Sequence, residues 1–336
     1  MNIAIVGATG NVGRKIVEIL EKKEFQVENL YLLASTRSEG KKISFNGKDH
    51  TVGDLEKFDF SIVKIAFFAA GSAVAEKWAH VAAEKTIVID NSKYFRKDPD
   101  IPLIVPEVNS KQLTHVKKKN IIANANCSVI PVVVALKPLH DLYNVNRIVI
   151  STYQSVSGAG KEPMDELLSQ TQDYFNNKKL ESKNFTKQIA FNAIPHIDSF
   201  LENGYTKEEQ KTTDEIKKIL DKKIKITSTC VRIPVLVSHS ISVNVEFNKK
   251  CNLDEIRKVL STSPGCKVVD EHKDGGYITP VEAEDKFETF ISRVRLDESQ
   301  ANTVNMWIVS DNLLKGAALN AVQIAEALIK EDFYGQ

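Results

Sequence analysis

The residue with the clearest chemical potential in this sequence is Cys127. It follows an apolar run, Ile121 to Ala125, that reads as a buried strand, and precedes a second run, Val129 to Leu136, that reads as helical despite Pro131. A sulfur at that junction lies at the carboxyl edge of a sheet and at a helix N-terminus, where the positive end of the helix dipole raises the thiolate fraction. With Asn126 and Ser128 as polar neighbours, Cys127 reads as a nucleophile. Cys230, Cys251 and Cys266 have no such setting and read as small core hydrophobes. The four cysteines form no C-x-x-C pair and the seven histidines no i,i+4 pair, so neither a disulfide framework nor a metal site is expected.

A second chemical pattern is Gly7-Ala8-Thr9-Gly10-Asn11-Val12-Gly13, between a strand (Asn2 to Val6) and a helix from about Asn11. Gly7 permits the turn, Gly10 lets backbone N–H groups approach a pyrophosphate at the helix N-terminus, and Gly13 lets helix and strand pack closely. Gly7, Thr9, Gly10, Asn11 and Val12 are therefore expected at a dinucleotide. An NAD enzyme is expected to carry an acid at the end of the second strand, for the ribose hydroxyl; here stand Ser35-Thr36-Arg37-Ser38. The Ser35 and Ser38 hydroxyls with the Arg37 guanidinium suit a 2′-phosphate, and NADPH is the expected cofactor. Gly71, between a strand and a helix, is placed with the cofactor-binding residues.

These groups need a scaffold, and the first third of the chain supplies one in βαβ units. Asn2 to Val6, Leu30 to Ala34, Ile62 to Ala70, Thr86 to Asp90 and Ile121 to Ala125 read as strands, with helices from Asn11 and over Ser72 to Glu84. The pattern then changes. Ser240 to Phe247 alternates apolar and polar residues as a half-buried antiparallel strand does, and Lys225 to Val235, Thr289 to Leu296 and Thr303 to Val309 read as its companions. Helices are expected at Glu162 to Phe175, Lys207 to Asp221, Leu253 to Leu260 and, continuously, Leu313 to Lys330. The expected fold class is α/β: a Rossmann-type NADP-binding domain (1–126 plus 313–336) with an inserted α+β catalytic and dimerisation domain (127–312).

Composition narrows the function. With 45 basic and 44 acidic residues the net charge is +1, which disfavours nucleic acid or an anionic membrane as main partner. No apolar run approaches a membrane span, and the amino terminus lacks a basic region and a cleavage site, so a cytoplasmic location is expected.

Five motifs carry a resemblance over nearly the whole chain: Asn126-Cys127-Ser128; Ser151 to Gly160 (STYQSVSGAG); Cys230 to Val235 (CVRIPV) with His239; Val309 to Ala318 (VSDNLLKGAA); and Ser92 to Arg96 (SKYFR). Together they resemble bacterial aspartate-semialdehyde dehydrogenase. The resemblance implies NADPH-dependent reductive dephosphorylation of L-4-aspartyl phosphate to L-aspartate 4-semialdehyde, on the route to diaminopimelate, lysine, threonine and methionine, by a homodimer.

It implies that Cys127 forms a thioester, that His239 is the acid/base group and that Gln154 orients the acyl group. Arg232 would bind the substrate carboxylate, Glu208 its ammonium, and Arg96 with Lys211 its phosphate, with Asn126 also at the substrate. Ser157, Gly158, Gly160 and Asn312 would contact the cofactor, Asn312 at the nicotinamide amide. The chain departs from the family in Ser128-Val129-Ile130-Pro131, where Ser/Thr, Thr, Ile, Gln is usual, in Ala125 for Pro, and in a shorter segment between Phe175 and Ile189. The alternatives are N-acetyl-γ-glutamyl-phosphate reductase and a non-catalytic dinucleotide sensor.

Overall fold

The computed structural model describes residues 1–331 and divides them into two units, Met1–Ala125 with the segment from Ala317, and Asn126–Gly316. Residues 332–336 of the expected segment 313–336 lie outside the described residues.

The first unit is built on an all-parallel seven-stranded sheet in the order Gly53–Asp54, Asn29–Ala34, Asn2–Val6, Ile65–Phe68, Ile87–Asp90, Ile121–Asn124, Leu103–Ile104. Helices cover both faces of such a sheet, so its inner strands carry near-continuous apolar runs; Ile3, Ala4, Ile5 and Val6 are fully buried. The chain winds to one side of Asn2–Val6 and then crosses to the other. The switch point that results, at the carboxyl end of this strand, is where the glycine loop stands.

The helix Asn11–Lys22 buries Gly13, Ile16, Val17, Ile19 and Leu20 on one face. The terminal helix Leu319–Lys330 packs beside it, with Lys23 and Glu326 paired at 3.0 Å. Two buried amides tie this helix to the sheet. Asn320 Nδ2 donates to the Ile104 carbonyl (3.0 Å) and to Asn124 Oδ1 (2.6 Å), and Asn124 Nδ2 donates to Asn91 Oδ1 at 2.7 Å.

The second unit holds a six-stranded mixed sheet in the order Lys225–Arg232, Val145–Gln154, His239–Phe247, Thr303–Ser310, Thr289–Leu296, Cys266–Val268. Val145–Gln154 runs parallel to Lys225–Arg232 and antiparallel to His239–Phe247. Gln154 is opposite Arg232, and Tyr153 is opposite Ser240, so Gln154, Arg232 and His239 emerge at one end of three adjacent strands. The helix Val129–Tyr143 packs on this sheet and carries Pro131 in its first turn, where no intrahelical N–H bond is lost.

Several elements differ from the sequence reading. The expected strand Ile62 to Ala70 spans only Ile65–Phe68, because the Asp59 carboxylate accepts from Ser61 N (2.9 Å) and winds Phe60–Ile62 into a 3₁₀ turn. The expected helix from Leu313 begins instead with a π turn, Leu314–Ala318, before the α-helix Leu319–Lys330. Asp311 is the cause: its carboxylate accepts from Leu313 N and Leu314 N, while its carbonyl accepts from Gly316 N at 3.1 Å, the i+5 bond that widens the turn. The strand Val145–Gln154 was expected only as an unbounded strand leading to Gln154. The hairpin Lys42–Phe45/Lys48–Thr51 was not among the expected elements, although Asn46 and Gly47, both at positive φ, form the Asn-Gly turn that marks one.

Candidate active site

In the first unit the glycine loop is shaped as its sequence requires. Gly7 has φ +86°, and a Cβ there would lie 2.6 Å from the Ala69 carbonyl oxygen; a Cβ on Gly13 would lie 2.2 Å from the Gly7 carbonyl oxygen. Neither position admits a side chain. Gly10 caps the helix without any side-chain hydrogen bond of its own. A cavity of about 650 Å³ opens over this loop, lined by Gly7, Thr9, Gly10, Ser35 and Arg37 among others. Its size and backbone donors fit a dinucleotide's phosphate and ribose end.

Asn11 and Val12 lie in the first helical turn, Ser38 ends the 3₁₀ turn Thr36–Ser38, and Gly71 precedes the helix Ser72–Ala83; none of these four lines the cavity. Lys77 and Trp78, which do line it, carried no signal in the sequence, since each is one ordinary residue of an amphipathic helix. Lys77 pairs with Glu56 at 2.9 Å. If Arg37 holds the 2′-phosphate, Arg37→Glu is expected to weaken NADPH far more than NADH, by about 1.5–3 kcal/mol or more, because it sets a like charge in place of the guanidinium. An unchanged NADPH/NADH preference in titrations of the two would make Arg37 a bystander.

In the second unit the expected residues converge. Cys127 is half-buried just before the helix Val129–Tyr143, and its Sγ lies 3.3 Å from His239 Nε2. His239 is buried, and its Nδ1 accepts from Ser155 N at 3.1 Å. Burial, and next the neighbouring Arg232 cation, push the imidazole pKa down to about 3. Gly158 roofs the pair: a Cβ there would stand 3.1 Å from His239 Cε1 and Nε2 and 3.3 Å from Arg232 Nη1. Arg232 is buried, and one of its terminal nitrogens donates to the Ser155 carbonyl at 2.6 Å.

The helix Lys207–Ile219 supplies the acids. Glu208 Oε1 accepts from Asn126 Nδ2 (2.9 Å) and Gln154 Nε2 (3.3 Å), Glu208 Oε2 pairs with Lys211 (2.6 Å), and Glu215 accepts from Asn126 N at 2.6 Å. Gln154 Nε2 also donates to Ser128 Oγ, and Gln154 Oε1 is buried without a donor. Burial alone would raise the Glu208 carboxyl, but the Lys211 charge with the Lys211, Asn126 and Gln154 hydrogen bonds outweighs it and holds the pKa below the usual range. Lys211 also reaches Asp198 at 3.0 Å.

Lys211→Met leaves Glu208 buried without its cation and is expected to cost about 3–5 kcal/mol in denaturant unfolding, most of it recovered by adding Glu208→Gln. Because the folded Glu208 pKa is depressed, its stabilisation is present above the unfolded carboxylate range and fades as pH falls through the folded value. A Lys211→Met protein as stable as wild type would refute the coupling.

Asn312 Oδ1 accepts from Ser238 N (2.8 Å), Ser155 Oγ (3.0 Å) and Ser157 Oγ (3.1 Å), so its amide is engaged within the unit. Gly160, at φ +113°, caps the helix Lys161–Phe175. Arg96 belongs to the first unit, where its Nη2 donates to the Asn91 carbonyl at 3.0 Å. The expected phosphate pair Arg96 and Lys211 is thus divided between units.

Gly316, inside the π turn, is a residue to which the sequence reading gave no role. A Cβ there would lie 2.9 Å from Cys127 Cβ and 3.2 Å from its Cα. Gly316→Ala is expected to displace the thiol and lower kcat by roughly 100-fold while NADPH binding stays within a few fold, since misplacement of about 1 Å has that effect. Unchanged turnover would show that the backbone yields elsewhere.

The model of the semialdehyde dehydrogenase NAD-binding domain matches residues 2–116, and that of the semialdehyde dehydrogenase dimerisation domain matches residues 136–315. Fold and sequence therefore define a two-domain semialdehyde dehydrogenase. Among curated proteins, the aspartate-semialdehyde dehydrogenase of Aquifex aeolicus is 49% identical over 98% of each chain, and that of Rickettsia bellii 48% over 98% of each. A crystal structure of aspartate semialdehyde dehydrogenase II from Vibrio cholerae, complexed with ASA, superposes with a TM-score of 0.96 at 47% identity over 98% of each chain. The chain belongs to the aspartate-semialdehyde dehydrogenase family.

Proposed function

We propose that this protein catalyses the NADPH-dependent reductive dephosphorylation of L-4-aspartyl phosphate to L-aspartate 4-semialdehyde. The observation that carries the reading is the Cys127 sulfur, placed at a helix N-terminus and 3.3 Å from the ring of a buried histidine. An acyl phosphate is a poor hydride acceptor. The Cys127 thiolate attacks its carbonyl carbon and expels phosphate, leaving a thioester on the protein. The dinucleotide, when bound, supplies the hydride that reduces this thioester to the level of the aldehyde.

The remaining residues hold the substrate. In this reading the buried Arg232 fork binds the carboxylate, Gln154 orients the acyl group, the Glu208 carboxylate meets the ammonium, and Lys211 offers charge to phosphate. The reading extends to a cytoplasmic homodimer. Its support is the dimerisation-domain match, and in the described residues no helix is long and apolar enough to cross a membrane.

Measurement of NADP reduction with aspartate semialdehyde, with and without phosphate, tests the reading. Phosphate-dependent reduction is expected, with about 100-fold or greater preference over N-acetylglutamate semialdehyde, because the acetylated substrate offers Glu208 no cation. Reduction that does not depend on phosphate would overturn it.

A further inference from the structure

We propose that Asp198 competes with phosphate for Lys211: its carboxylate takes one N–H of the ammonium and repels an incoming anion, which keeps the affinity for free phosphate low enough for that product to leave. The proposal rests on the functional reading above, in which Lys211 offers its charge to phosphate. Asp198 has no part in that reading.

Lys211 holds two carboxylates. Its Nζ lies 2.6 Å from Glu208 Oε2 and 3.0 Å from Asp198 Oδ2, and an ammonium carries three hydrogens, so one is left for a ligand. Burial alone would lower the Lys211 pKa, but Glu208 and then Asp198, by charge and hydrogen bond, outweigh it and keep the ammonium charged. One cation between two acids leaves the trio with a net negative charge, the wrong sign for a phosphate site. The two acids differ in kind. Glu208 is buried one turn before Lys211 on the helix Lys207–Ile219, makes the shorter contact, and has Asn126 and Gln154 on its other oxygen. That pair already fixes the ammonium. Asp198 comes from a separate segment, with its side chain 24% exposed and its contact longer, so what it adds at Lys211 is charge more than position.

The backbone delivers that charge to a fixed place. Ile194 N donates to the Arg232 carbonyl (2.9 Å) and Arg232 N to the Ile194 carbonyl (2.8 Å), which ties the segment to the strand end that bears Arg232. Lys207 N donates to the Ser199 carbonyl at 2.8 Å, which ties it to the first turn of the helix that bears Lys211. Between the two ties Asp198 has φ +67°, a left-handed conformation that Asp tolerates better than most residues, and its Oδ1 accepts from Ser199 N at 2.9 Å. Free phosphate and the acyl phosphate meet this charge differently. The acyl phosphate is also held through its carboxylate and ammonium, by Arg232 and Glu208, and can bear the repulsion. Free phosphate has only its own anion to offer and bears it in full, so Asp198 favours the substrate over the product that would otherwise block the site.

The test compares full-length wild type, Asp198→Asn and Asp198→Glu in two measurements: the phosphate dependence of NADP reduction with aspartate semialdehyde, and calorimetric titration with inorganic phosphate. Asparagine tolerates the left-handed backbone and keeps an acceptor for Ser199 N, so only the charge is removed. Asp198→Asn is expected to lower both the KM and the Kd for inorganic phosphate by about 3- to 10-fold, the scale of one partly exposed charge contact. A residue that merely anchored Lys211 or the loop would raise them when replaced, and a rise or no change overturns the proposal.

Asp198→Glu restores the charge on a longer stem and is expected to bring both constants back to within about two-fold of wild type. Tightening in Asp198→Glu equal to that in Asp198→Asn would show that charge is not the cause, which overturns the proposal. Wild-type protein that reduces NADP without phosphate would remove the functional reading, while the titration still decides the role of Asp198: tighter phosphate in Asp198→Asn supports it, and equal binding or none in both proteins overturns it.

Discussion

The Cys127→Ala protein is expected to lose turnover by about 10⁴-fold or more, since nothing else in the cluster can form the thioester. The substitution is unusually clean. Alanine keeps the Cβ against which Gly316 packs, so only Sγ and its contact with His239 disappear. The glycine loop belongs to the other unit, and NADPH affinity should stay within a few fold of wild type. Steady-state assays with equilibrium titration of NADPH check both halves. A variant that retained more than a tenth of wild-type kcat would end the assignment of Cys127 as nucleophile.

Arg232→Met should lower kcat/KM for the semialdehyde by roughly 100- to 1000-fold, the range for losing a buried charge-assisted contact. Arg232 lies on the last residue of its strand beside Gln154, and its buried guanidinium is anchored through one nitrogen to the Ser155 carbonyl. That anchor aims the rest of the fork, and methionine fills the space without it. Much of the loss should appear in KM, because the carboxylate is bound in ground and transition state alike. Loss of the cation also removes one of the causes that push the His239 pKa down, so the variant's ring should protonate more readily. Wild-type kcat/KM in the variant would send the search for the carboxylate's partner elsewhere.

The first unit was the more legible in the sequence. Its strands are buried on both faces and its first helix shows a clear stripe, so Asn2–Val6 has the expected bounds and the helix starts at Asn11 as expected. The π turn was hidden, because the apolar spacing of Leu314, Ala317 and Ala318 says nothing of how the Asp311 carboxylate holds the first turn. Val145–Gln154 was placed only as a strand before Gln154, without bounds, although Ile148, Ile150, Thr152 and Gln154 alternate as its buried face.

In the active-site cluster, Cys127 was readable from its strand–helix junction alone. His239, Gln154 and Arg232 could be named only through motifs, because what brings them together is strand register between segments far apart in sequence. Gly316 and Ser155 act through backbone and shape, which residue type alone does not announce.

The terminal helix has a consequence for synthesis on the ribosome. The parallel sheet is complete once Asn124 has emerged, but the helix that covers part of it, with Leu319, Val322, Ile324 and Leu328 facing inward, arrives only after residues 126–316. At about 5–20 residues per second that interval is on the order of ten to forty seconds. Through it the nascent chain must leave apolar sheet surface uncovered and the Asn124 amide without Asn320. Vectorial folding of this unit therefore cannot finish before the inserted unit has been translated.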